Sequence, residues 1–166
     1  MATKKIVIAS VLAAIVNGLL AGGNVDRAIV ARAAWSRVGV VAWADYSRQA
    51  DLGSGRLFYP AMAFVGTLLC IASVILLLCN GRFQWRSALP VLLAAGLMVA
   101  SLPISFKAAP FILSLRHLED NNITAIKQAF EGSYFWGRFQ MSLHVLGFLA
   151  NLWSIAALSR SQMPVD

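Results

Sequence analysis

The chain has 166 residues, 59% of them hydrophobic and 13% charged, with a net charge of +7. A soluble domain carries about 25% charged residues, so with a mean hydropathy of +0.71 the composition excludes an ordinary water-soluble globule. The basic residues are spread along the chain, which argues against nucleic acid and for anionic membrane lipid as their partner.

A membrane helix needs about 20 mostly apolar residues. Four stretches qualify: 5–24, 57–79, 88–106 and 134–158. Backbone polar groups in lipid must pair within the segment, so each should be a helix. The expected fold is all-α. It is a four-helix transmembrane bundle forming one integral membrane domain over 1–166, with short extramembrane helices in the first and third connections.

The first span has no Ala-x-Ala cleavage signal after it and is read as retained. Lys4 and Lys5 have no acidic neighbour and favour a cytoplasmic N-terminus, although basic residues in the long connections pull the other way. Asn17 and Asn24 lie seven residues apart and share a helix face. In the first connection Arg27, Arg32 and Arg37 recur every five residues. Such charges wind around a helix instead of lining one face, so this is no surface-lying helix. The spacing predicts an extension of span one, a break at Gly39, and a return packed on the bundle.

That return carries WADYSRQADLGSGRLFYP, residues 43 to 60, which mixes charges with Trp43, Tyr46, Phe58 and Tyr59. Cys70 and Cys79 lie in span two, nine residues apart. That is about 13 Å of helical rise, too far for a disulfide. Spans two and three are joined by NGRFQWRS, a polar hairpin whose Phe83 and Trp85 suit the membrane interface. Span three bears Ser101, Pro103 and Ser105, then Lys107. In the third connection NITAIKQAFEG predicts a short amphipathic helix. Asn122 or Asn121 is its N-cap, Ile123, Ile126 and Phe130 are its apolar face, and Gly132 is its stop.

In span four Gln140, His144, Gly147 and Asn151 fall on one face, with Trp136 and Arg138 above them. His144 is the ionisable residue well inside a span, and such residues are functional candidates. The bland alternatives are hydrogen bonding between helices and snorkelling arginines at a wet interface.

All four spans turn polar towards the end that holds both long connections. The sharper reading is a cavity there leading down to His144. His144 is then a general base, with Gln140 and Arg138 as its catalytic neighbours. Asn17, Asn24, Trp43, Asp51, Arg56, Tyr59, Lys107 and Trp136 bind the substrate. No metal site and no cofactor is implied: HExxH, paired cysteines, a phosphate loop and Gly-x-Ser-x-Gly are all missing from the sequence.

The chain also resembles the anthrone-oxygenase-like membrane proteins. The likeness is carried by Leu102-Pro103-Ile104-Ser105, by Trp136, Arg138 and His144, and by the segment from Ala44-Asp45-Tyr46-Ser47-Arg48 to Tyr59-Pro60. Members often have Asn in place of Ser105 and an Arg soon after the His; here Val145 to Asn151 contains none. The resemblance implies a small four-helix membrane protein; some relatives oxidise anthrones to anthraquinones with molecular oxygen, and many bacterial members have no assigned reaction. The leading expectation is a small membrane oxygenase or related redox enzyme acting on a lipophilic aromatic substrate. The alternative is a non-enzymatic accessory or ligand-binding subunit that meets a partner protein through its charged connections. The Gly and Ala content of spans one to three allows homo-oligomers.

Overall fold

The structure is a computed structural model that describes residues 2–79 and 85–160. Helix α1 (Ala2–Val25) runs through a π-helical stretch, Asp26–Ala31, into α2 (Arg32–Val38). Helix α3 (Val40–Gln49) leads through Ala50–Ser54, where the backbone kinks at Gly53 (φ -82°, ψ -118°), into α4 (Gly55–Cys79). Helices α5 (Trp85–Ser114) and α6 (Ile123–Arg160) complete the chain. Four helical stretches, 4–38, 40–79, 85–114 and 123–160, are long and apolar enough to cross a membrane. This is an all-α, multi-pass membrane protein. Most of the hairpin NGRFQWRS lies outside the described residues.

The spans form a ring in which α1 packs on α4 and α6, and α5 packs on α6 and α4. Small side chains let the backbones approach. Ala13, Ala63, Ala94, Ala95 and Ala150 surround Cys70 and Met98 in the central core. A second core, at the end of the long connections, seats Trp43 and Ala44 of α3 against Leu115, Ile126, Ala129 and Phe130. There the Trp43 and Phe130 rings meet edge to face at 5.1 Å.

The predicted break is at Gly39, with φ 113° and ψ 156°. An L side chain strains there, and a Cβ would meet only open space. Gly39→Ala should therefore cost about 1–3 kcal/mol from backbone strain alone. Thermal unfolding in detergent would check this; an unchanged midpoint would refute it.

The third connection differs from expectation. Asn122 does cap, its Oδ1 accepting from the Ala125 N–H at 3.2 Å. Ile126 and Phe130 are buried, but Ile123 is exposed. Gly132 stops nothing, because α6 continues through it to Arg160. A Cβ at Gly132 would strike the Phe111 ring. The glycine is there for close packing of α5 on α6, and the short helix is the first part of α6.

Candidate functional site

A cavity of about 1020 Å³ opens among the upper halves of the four spans, under a roof made by α2 and α3. Its walls are mainly apolar. Its polar groups lie in two tiers. Under the roof stand Asp26, Arg27, Asp51 and Arg56; deeper lie the neutral groups Asn24, Ser105 and Gln140. Trp35, Trp43, Tyr46, Tyr59 and Tyr134 add aromatic surface.

The π-helical stretch Asp26–Ala31 and the kinked segment Ala50–Ser54 face each other across this space, and each supplies half of an ion pair: Arg27 donates to Asp51. The Arg27 guanidinium also lies 4.2 Å from the Tyr59 ring centroid. A π-helical turn adds a residue and re-aims the side chains around it. Here it turns Asp26 and Arg27 towards the cavity on one side, and the kink at Gly53 accompanies Asp51 and Leu52 on the other.

Gln140 donates to the Ser105 hydroxyl at 2.8 Å, and Ser105 donates to the Ser101 carbonyl at 3.0 Å. Asn24 uses its amide N–H₂ twice, donating to the Leu20 carbonyl at 2.8 Å and to His144 Nδ1 at 2.9 Å. The carbonyl can only accept, so the amide nitrogen must face both partners. Nδ1 therefore carries the lone pair, and Nε2 carries the proton. His144 is fully buried, and its Nε2 has no partner among the described residues. Asn24 lines the cavity; His144 lies directly behind it.

One heptad further down α1 and α6 is a second polar contact. Asn17 donates to Cys70 Sγ at 3.3 Å, and the Cys70 thiol donates to Asn151 Oδ1 at 3.6 Å. It ties α1, α4 and α6 together in the core. No group of three or more His, Cys, Asp or Glu side chains that could hold a metal comes together among the described residues.

Of the residues named from the sequence, Asn24, Trp43, Asp51, Arg56, Tyr59 and Gln140 line the cavity. Five do not. His144 is one layer behind the wall, and Asn17 is buried below the floor. Lys107 and Arg138 are exposed, and Trp136 stacks with Phe135 and Phe139. The reason is angular. Gly137 and Gln140 face the cavity, and a residue one position from Gly137 is turned by about 100°. Arg138, Trp136, Lys107 and Asn17, expected at the cavity, thus lie off its wall. The charged side chains at this end also divide: Asp26, Arg27, Asp51 and Arg56 line the cavity. Arg48 pairs with Asp45 and Asp120 outside it. Sequence reasoning missed Trp35 and Tyr134. Tyr134 lies under Arg32, with the guanidinium 5.3 Å from its ring centroid.

Compared with protein-family models, curated proteins and solved structures, the chain matches none. The likeness to anthrone oxygenases thus rests on its short motifs. Within them Leu102 and Ser105 reach the cavity, while Trp136 and Arg138 do not.

Proposed function

We propose that this protein is a small membrane enzyme that takes a lipophilic aromatic molecule into its cavity and oxidises it with molecular oxygen. One observation carries the reading: Asn24 belongs to the cavity wall and also holds the lone pair of the buried imidazole. When the Asn24 side chain swings aside, Nδ1 of His144 faces the cavity as a base. An activated ring CH₂ loses a proton to Nδ1, and its electron pair adds to O₂. The hydroperoxide anion takes the proton back. Loss of the second C–H proton with O–O cleavage then gives a ketone and water, so CH₂ and O₂ become C=O and H₂O. Gln140, which has a second N–H beyond the one given to Ser105, stabilises the developing enolate oxygen. With the N-terminal lysines in the cytoplasm, the cavity lies in the opposite leaflet.

A second reading, a binding or accessory subunit without chemistry, is favoured by the distance of His144 from the wall. The two are separated by incubating the purified protein with an anthrone and following oxygen uptake and quinone absorbance. Loss of a general base costs about 10²–10⁴-fold in rate, so His144→Ala should abolish turnover and keep binding. Binding without turnover by the unaltered protein selects the accessory reading. Absence of binding overturns both.

A further inference from the structure

The cavity is not closed on the side of α4 and α5. These helices share core clusters from Ala63 and Met98 down to Leu77 and Ala88. Above that level both line the cavity instead. Leu57, Phe64 and Phe106 belong to its wall, yet they are 73%, 59% and 77% exposed. Side chains so free have one flank on the cavity and the other outside the bundle. The gap between them is a window on the outer face of the bundle, at the end where the apolar stretch 57–79 begins and the stretch 88–106 finishes. The aqueous end is covered by α2 and α3, held by the Arg27–Asp51 pair and by Arg48.

One cation lines the cavity beside this window, and a second lies next to it along α5. Arg56 precedes Leu57 and lines the cavity; Lys107 follows Phe106. Both are exposed, and neither forms an ion pair among the described residues. Of the two carboxylates on the cavity wall, Asp51 is neutralised by Arg27. Asp26 sits on the continuation of α1, the helix diagonal to α5.

We propose that the cavity is filled sideways from the bilayer, and that its ligand is a lipophilic acid. The anionic head rests against Arg56 and Lys107, and the apolar body passes between α4 and α5. This rests on the cavity being a ligand site, as proposed above, and adds the route and the charge of the ligand.

The test uses the full chain in phosphatidylcholine nanodiscs with two probes of similar shape, 9-anthracenecarboxylate and 9-anthracenemethanol. Energy transfer from Trp35 and Trp43, which line the cavity, reports binding. The carboxylate should bind about tenfold more tightly, the scale of one charge-assisted contact. Arg56→Gln with Lys107→Gln should bring it down to the level of the alcohol. Arg56→Lys with Lys107→Arg should restore the preference. Ala61→Phe or Ala109→Phe, both at exposed positions on the window wall, should slow uptake from the bilayer. Adding phosphatidylglycerol distinguishes sources: competition identifies a lipid headgroup as the resident anion, and no competition identifies a free acid. Equal binding of both probes, or a preference that survives the double Gln variant, overturns the acid. Unslowed uptake in both Phe variants overturns the lateral route. If neither probe binds, the cavity reading under Proposed function fails as well.

Discussion

Gly66→Ala should destabilise the bundle by about 2–3 kcal/mol, the upper range for overpacking a core. The expected effect is large because the added methyl would overlap the Asn17 amide oxygen. Asn17 cannot easily retreat: it is fully buried, and its amide nitrogen is held by Cys70. The methyl must push α1 away from α4, which also strains the thiol contact to Asn151. Asn17→Ala removes the obstacle. The double variant should therefore be more stable than the sum of the single effects predicts, with a coupling of about 1–2 kcal/mol. Unfolding in mixed detergent micelles measures all three variants. Additive effects would show that Gly66 and Asn17 do not meet.

Arg48→Ala should open the roof. The Arg48 guanidinium donates to the Leu115 and Leu118 carbonyls at 3.1 and 2.6 Å and to Asp45 and Asp120 at 2.8 and 2.7 Å. The carbonyls belong to the turn between α5 and α6, where helical pairing has ended. Removing the fork leaves them to water. The site is partly exposed, so each contact is discounted for screening, and the combined loss should be about 2–3 kcal/mol. It should be local. Hydrogen exchange and protease cleavage at residues 115–122 should rise several-fold while the spans remain protected. Arg48→Lys should recover less than half, because a point charge cannot reproduce the planar fork. Unchanged exchange in that turn would refute the account.

The four spans and the Gly39 break were legible because hydropathy and glycine act locally. The Asn122 cap was legible for the same reason. The stop at Gly132 was misread because a glycine that ends a helix and one that admits a neighbouring ring look alike in sequence; only Phe111 separates them. The candidate site was half legible. Shared faces on α1 and α6 were foreseen from heptad spacing, but depth was not. Asn17 lies about 10.5 Å of helical rise below Asn24, which puts it under the cavity instead of in it. Trp136 and Arg138 are close to His144 along the chain but turned away around the helix. The Asn24–His144 contact joins residues 120 positions apart and left no local trace.

The polar contacts between α1 and α6 have a further consequence for assembly. Asn24 meets His144, and seven residues away on each helix Asn17 and Asn151 meet through Cys70. In lipid the tails are as oily as the side chains, so helix alignment rests on close packing and on polar contacts between helices. These contacts help distinguish the correct alignment. Sliding α1 by one turn either way would set Leu20 or Ala28 opposite His144, and Ala13 or Ala21 opposite Asn151. Each slip strands an imidazole and an amide in hydrocarbon. The two contacts work as a two-pin key: one pin would tolerate a rotation about itself, but two pins on one face fix both sliding and rotation of the first helix against the last.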